Sequence, residues 1–189
     1  MIILVGHRAS GKTTVSRIFS KNGYWVFDTG PFLRGFSGLI HENATPETLL
    51  ASLRESTGNN KWDDEFIAII AKYGYEQSQE QDLVIVGYRS YDDVVFLKLQ
   101  LDKLLPSKLP IYVVYVDCKP QTAFERYKRR EKSDFDFDRF LADREINSKR
   151  GLEKLKNNAD FVLFNDIDTE SLESRTTGLI KQILSLIHI

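Results

Sequence analysis

This 189-residue chain has a single cysteine, Cys118, so an internal disulfide framework is excluded and the composition fits a reducing compartment. The cysteine–histidine spacing of a structural zinc site is also missing, and the three histidines, His7, His41 and His188, are scattered. Neither sign of charge dominates. Lys and Arg number 26 against 27 Asp and Glu, a net charge of −1, so no global attraction to nucleic acid or to an anionic membrane operates. No apolar run approaches the roughly 18 residues of a membrane span. The apolar start is too short for a signal-peptide core and lacks a basic leader. These absences lead to the expectation of a cytoplasmic protein, monomer or homodimer, with neither nucleic acid nor membrane as partner. At 42% hydrophobic and 28% charged, residues 1–189 read as one globular domain.

Short apolar runs alternate with longer helical patterns. Strands are expected at Ile2–Val5, Tyr24–Asp28, Leu83–Gly87, Ile111–Asp117 and Phe161–Phe164. They show little polar alternation, as strands buried on both faces do, which favours a parallel sheet covered by helices. Between them, Val15, Ile18 and Phe19 give one helical face, Trp62, Phe66, Ile69, Ile70 and Tyr73 a second, and Val94, Leu97, Leu101 and Leu104 a third. Ser90 with Asp93 three residues on resembles a capping pair, and Thr45-Pro46-Glu47 reads as a helix start. Later helices are expected near Gln121–Lys132, Asp136–Asn157 and Thr169–Leu184. The pattern predicts a three-layer, doubly wound α/β fold on a five-stranded parallel sheet. Two stretches exceed the minimal alternation: a helical insertion at 30–80 and a charged lid region at 128–157. Both are expected to cap a site at the strand ends.

The octapeptide Gly6-His-Arg-Ala-Ser-Gly-Lys-Thr13 follows the first strand and opens an amphipathic helix. That is the context a phosphate-cradling loop needs. Gly6 and Gly11 let the backbone wrap closely, the N–H groups around Ala9, Ser10, Gly11, Lys12, Thr13 and Thr14 form an anion nest, and the helix N-terminus adds partial positive charge. Lys12 is placed to reach the β- and γ-phosphates of a nucleotide, and the Thr13 hydroxyl to bind Mg²⁺. His7 and Arg8 fill free positions and read as loop surface. A GTPase would carry an Asn-Lys-x-Asp stretch after a late strand, and the chain has none. A motor ATPase normally ends an apolar strand in an acid, whereas Leu83–Val86 runs into Gly87-Tyr88-Arg89.

Phosphoryl transfer needs in-line positioning, positive charge on the migrating group and exclusion of water. Arg34 and Arg89 follow the second and third strands, and Arg126, Arg129 and Arg130 lie in the helix after the fourth. Arg126 and Arg130 are four apart and share a helical face. A guanidinium fork suits a phosphate, although a solvated basic helix would look the same in sequence.

With these residues in view, the chain resembles the P-loop nucleoside monophosphate kinase superfamily, including cytidylate-kinase, adenylate-kinase-like and dephospho-CoA-kinase-like proteins. The likeness runs through GHRASGKTTVSRIFSKNGYWVFDTGPFLRGF, LVIVGYRSYDDVVFL and ERYKRRE…ADREINSKRG…NADFVLFND. It implies an ATP- and Mg²⁺-dependent phosphotransferase whose partner is a small phosphorylated acceptor, a nucleoside or deoxynucleoside monophosphate foremost. Dephospho-CoA or another metabolite is the alternative acceptor. A nucleotide-binding regulatory module with slow hydrolysis is the alternative of another class. On this resemblance Arg34 and Arg89 would bind the acceptor phosphate, Arg126 and Arg130 would close on the migrating phosphoryl, and Asn165 would lie near the adenine. Arg144 and Arg150 are further lid candidates. Asp28 would orient the acceptor or hold a Mg²⁺-bound water, or else cap the helix at Pro31. One departure stands out: the acid of the family's Asp-Gly-x-Arg segment falls at Val86, so either Asp28 or Asp117 substitutes, or Mg²⁺ is held by Thr13, phosphates and waters.

Overall fold

A computed structural model describes residues 1–31, 62–77, 82–105, 109–131 and 136–187. Among them, the strands β1 (Ile2–Val5), β2 (Trp25–Asp28), β3 (Leu83–Val86), β4 (Tyr112–Asp117) and β5 (Phe161–Phe164) form one sheet in the order β2-β3-β1-β4-β5. Every pairing is parallel. The helices are α1 (Lys12–Lys21), α2 (Trp62–Gln77), α3 (Tyr91–Leu104), α4 (Pro120–Glu131), α5 (Phe137–Asn147), α6 (Glu153–Asn157) and α7 (Thr169–Ile187). A kinked turn, Ser148–Leu152, joins α5 to α6.

The two faces of β1 explain the layers. Its side chains alternate, so Met1, Ile3 and Val5 enter one core with Ile67, Ala68 and Ala71 of α2 and Val94, Leu97 and Leu101 of α3. Ile2 and Leu4 enter the other, with Val15, Ile18 and Phe19 of α1 and Leu172, Leu179, Ile180 and Ile183 of α7. Ile2, Ile3, Leu4 and Val5 are fully buried, each contributing about 1.5–3 kcal/mol. That is why the strand carries no polar alternation. A third cluster, Cys118, Ala123, Phe124, Tyr127 and Phe140, packs α4 on α5 and reaches the loop at Ala9.

The expected elements appear with small shifts. Gly87 leaves β3 because its φ is 127°, and Tyr24 is taken by the end of α1, where its N–H bonds to the Phe19 carbonyl. Ser90 caps α3 by accepting from the Asp93 N–H at 3.4 Å. The single helix expected over Asp136–Asn157 is interrupted instead. Gly151 takes φ 95°, and a Cβ there would meet Tyr91 Cβ at 2.8 Å, so close seating on α3 breaks the helical run. One position of the stripe assigned to α2 is corrected, and the side chains of Trp62, Phe66, Ile70 and Tyr73 lie outside the described residues. Ile69 is exposed, while Ile67, Ala68, Ala71 and Tyr75 are buried, the two alanines allowing close approach to the sheet and α3. Most of the 30–80 insertion, Thr45-Pro46-Glu47 and Arg34, and residues 132–135 of the lid region, lie outside the described residues.

The crevice at the carboxyl ends of the strands sits where the order reverses, with β1 between β3 and β4. Gly6, Asp28, Gly87, Cys118 and Asn165 lie at its rim.

Candidate active site

The loop from Gly6 to Thr13 is shaped by conformations that side chains disfavour. Gly6 has φ 145° and Gly11 φ 102°. A Cβ on Gly6 would stand 2.5 Å from the Val116 carbonyl oxygen, and one on Gly11 would stand 2.0 Å from Asn165 Nδ2. Ala9 also takes positive φ, 58°, in the left-handed region. Gly11 is the N-cap of α1 and brings no side chain to its first turn, so the helix presents its backbone donors to the crevice. Thr13 is exposed there.

Lys12 curls over the loop, its Nζ donating to the Gly6 carbonyl at 2.8 Å and the His7 carbonyl at 2.6 Å. Its stem is partly exposed, but the ammonium is enclosed. Burial, then the Arg89 guanidinium, lower its pKa to about 7, with Arg130 and Arg144 adding to the effect and Asp28 opposing it. Four cations from the loop, the end of β3, α4 and α5 therefore converge with one carboxylate from the end of β2. An anion bound among them would oppose the lowering of the Lys12 pKa.

Each rim residue is held by its own element. Thr29 Oγ1 donates to the Val86 carbonyl at 3.0 Å, and only a glycine fits at 87 because a Cβ would meet that hydroxyl at 2.0 Å. This crossing locks β2 beside β3 with Asp28 in register with Val86. Asp28 Oδ1 accepts from the Gly30 N–H at 3.0 Å. It therefore caps the turn entering the Pro31 segment, as one reading of its position expected, and its charge also acts on Lys12. Val86 is buried in the apolar cluster around Ile2, Leu4 and Val15, which suits a valine and not an acid. Asp117 is tied to Lys156 at 2.7 Å. Of the two acids suggested as substitutes, Asp28 is thus the one the fold turns toward Lys12.

Two expectations change, those for Arg126 and His7, and Asn165 has a structural part of its own. Asn165 is buried and turned inward, its Nδ2 donating to the Ser10 carbonyl at 2.7 Å. It braces the loop from beneath. Arg126 does not share the destination of Arg130. Its Nη1 donates to the Asn165 carbonyl at 2.9 Å and its Nη2 to Asn165 Oδ1 and the Ile167 carbonyl, both at 3.2 Å. The helix twist carries Arg130 toward Lys12 and over the Tyr127 ring at 5.7 Å, where Arg8 sits on the same ring at 5.0 Å. His7 is not loop surface: its ring is buried, 3.4 Å from Glu153 Oε1. The alternation of Met1, Ile3 and Val5 into one core was the available signal, since residue 7 continues that phase. Arg144 is brought to the loop by α5, its Nη2 donating to the Cys118 carbonyl at 3.4 Å. Arg150 is exposed on the kinked turn, and Arg129 is exposed with its Nε on the Glu125 carbonyl.

Mg²⁺ fits the oxygen donors present, the Thr13 hydroxyl and the Asp28 carboxylate. Among the described residues no group of three His, Cys, Asp or Glu side chains could hold a metal alone, so the ion would arrive with phosphate oxygens and waters.

Sheet order, central phosphate loop and helices on both faces define a P-loop kinase fold. Solved structures with this architecture include a shikimate kinase from Bacteroides thetaiotaomicron, with TM-score 0.58 and 17% identity over 95% of this chain and 97% of that one. A sugar kinase from Janibacter sp. HTCC2649 matches with TM-score 0.57 and 15% identity over 95% and 93%. The chain belongs to the AAA_18 family, described as an AAA domain, whose model matches residues 2–150. Two curated relatives align over nearly the whole of both chains. A UPF0200 protein of Pyrobaculum aerophilum is 26% identical over 189 residues, 98% of each chain. Another, from Thermococcus onnurineus, is 27% identical over 197 residues, again 98% of each. Among the described residues no helix is long and apolar enough to cross a membrane.

Proposed function

We propose that this protein transfers the γ-phosphoryl of ATP to a small phosphorylated acceptor, a nucleoside or deoxynucleoside monophosphate in the first instance. The observation that carries the reading is the convergence of Arg89, Arg130 and Arg144 on Lys12. A migrating phosphoryl spreads negative charge over its equatorial oxygens, and cations fixed around it stabilise that charge more in the transition state than in the ground state. Lys12 would hold the β/γ region and Arg130 and Arg144 the transferring group. Arg89, at the end of β3, would hold the acceptor phosphate together with Arg34. Bound Mg²⁺ would neutralise the β- and γ-oxygens, with Thr13 as its protein ligand and Asp28 reaching it through water.

Arg126 takes a different part from the one the resemblance implies. Joined to Asn165 and Ile167, it fixes the loop after β5, where the adenine would lie. The 30–80 insertion and the lid region would exclude water.

A second reading has its own support. A carboxylate at the end of β2 whose charge acts on Lys12 would take a proton from an attacking hydroxyl, which suits an alcohol acceptor such as dephospho-CoA or another metabolite. The two structural neighbours named above are kinases of that kind by their names. A regulatory module with slow hydrolysis is the remaining reading. It would need a group to position water at the end of β3, where Val86 is buried.

One experiment separates the three. Purified protein with ATP and Mg²⁺ is given a panel of nucleoside monophosphates, dephospho-CoA and sugars, and ADP is measured against Lys12→Ala. Strong stimulation by a monophosphate supports the first reading, and by an alcohol the second. ADP formation above the control that no acceptor stimulates would support the module.

A further inference from the structure

His7 occupies the first free position of the loop, yet 4% of its side chain is exposed. Its Nε2 lies 3.4 Å from Glu153 Oε1 at the start of α6. A ring nitrogen beside a carboxylate keeps the proton, which leaves Nδ1 a bare acceptor. That Nδ1 is buried and makes no hydrogen bond. Arg144 Nη1, on α5, is also buried and makes none, while its Nη2 is held by the Cys118 carbonyl. Leaving a donor and an acceptor buried and unpaired is unfavourable, and these two are complementary. The groups acting on the ring are Arg144 from α5, Glu153 from α6 and Lys12 from the loop itself. Burial and then Arg144 lower the His7 pKa to about 4, so the ring is neutral near pH 7 and adds no fifth positive charge to the site.

The backbone between the two partners is built for fixed placement. The kinked turn joining α5 to α6 seats Gly151 against Tyr91, and Lys154 Nζ lies 3.8 Å from the Tyr91 ring centroid. Tyr91 follows Arg89 by two residues, so Arg144, Glu153 and Arg89 share one frame.

We propose that His7 is a positioning residue for Arg144: Glu153 orients the imidazole so that its unpaired Nδ1 is the acceptor the guanidinium takes up when it meets the terminal phosphate of a bound nucleotide. The proposal rests on the reading of the loop as an ATP site. It assigns a role to a free position of the motif and to a carboxylate outside it.

A double-mutant cycle read by calorimetry tests this without any acceptor. ATP and ADP affinities are measured for the wild type, His7→Phe, Arg144→Ala and the double variant, with folding checked by thermal melting. Losing a charge-assisted contact should weaken ATP binding by roughly tenfold or more in Arg144→Ala, with ADP little changed. His7→Phe should give part of the same ATP-selective loss, on the order of fivefold, and no further loss once Arg144 is gone. His7→Asn, which retains an acceptor near the place of Nδ1, should recover most of it. If His7→Phe does not fold, Glu153→Ala replaces it in the cycle, since Glu153 is 56% exposed. Equal losses in both backgrounds, or no loss in either, would overturn the positioning role. ATP binding no stronger than in Lys12→Ala would overturn the loop reading itself. Lys12-dependent binding with additive losses leaves that reading standing and removes only His7.

Discussion

The side-chain amide of Asn165 donates to the carbonyl of Ser10 at 2.7 Å, joining the end of β5 to the phosphate loop across 155 residues of sequence. The same amide group occupies the space a side chain on Gly11 would need, and its oxygen accepts from Arg126. One buried asparagine thus sets the floor of the loop and the position of an arginine on α4. The phosphate loop and the loop after β5 are therefore joined through one side chain, and several expectations follow from that coupling.

Removing the brace should loosen both ends. Asn165→Ala leaves the Ser10 carbonyl without its buried donor, a loss of about 1–3 kcal/mol. For a domain of this size that lowers Tm by roughly 2–4 °C per kcal/mol. Nucleotide affinity should fall with it. A melt and a titration on the same preparation check this, and an unchanged Tm would show that the loop does not depend on Asn165.

Gly11→Ala should be worse. The added methyl meets Asn165 Nδ2 and carries φ 102°, so displacement of the brace adds to backbone strain of about 1–3 kcal/mol. ATP binding should be lost while α1 remains helical by circular dichroism. Wild-type affinity would mean that the cradle is not held as described.

Arg126 and Arg130, one helical turn apart, should separate in kinetics. Arg126→Ala should lower thermal stability and weaken ATP binding, because it unties Asn165 and Ile167. Arg130→Ala should leave Tm nearly unchanged and lower kcat by about tenfold or more, the loss of a charge-assisted contact made as the phosphoryl moves. Similar effects from the two would return Arg126 to the phosphoryl.

Lys12 gives a pH signature with a definite sign. Its pKa falls from 10.5 to about 7 in the folded protein. Above pH 7 the unfolded chain then binds more protons than the folded one, and stability contributed by this group rises with pH from about 7 toward 10.5. Phosphates bound at the loop should restore the charge, so ATP binding at pH 8 takes up as much as about one proton. At pH 6, where Lys12 is already charged, this uptake should vanish. Calorimetry in buffers of different ionisation enthalpy measures it, and Lys12→Met should abolish it. Uptake that is the same at both pH values would contradict the placement of Lys12.

Much of this fold could be read from local pattern. Ile2–Val5, Leu83–Val86 and Tyr112–Asp117 are buried on both faces, and unbroken apolar runs report that directly. The loop is a contiguous motif, and Ser90 capping α3 is a three-residue signal. Harder to see were contacts made only by topology. Asn165 and Ser10 come together because β5 pairs β4 and β4 pairs β1, and nothing in either segment announces it. Arg126 and Arg130 look equivalent as a basic pair four apart, yet the curvature of the helix surface sends one to β5's loop and the other to Lys12. The break at Gly151 depends on Tyr91 lying against it, a tertiary demand that helical propensity does not register. His7 sits in a motif whose free positions usually face outward, and only the alternation of the preceding strand marks it as buried.

The most direct test of the central claim follows the phosphoryl itself. ATP with Mg²⁺ is incubated with the protein and each acceptor, and ³¹P NMR reads where the terminal phosphorus appears. The arrangement of Lys12, Arg89, Arg130 and Arg144 predicts that it appears on one acceptor, that the transfer needs Lys12, and that inorganic phosphate is a minor product. Phosphorus released only as inorganic phosphate, at a rate no acceptor changes, would contradict the account.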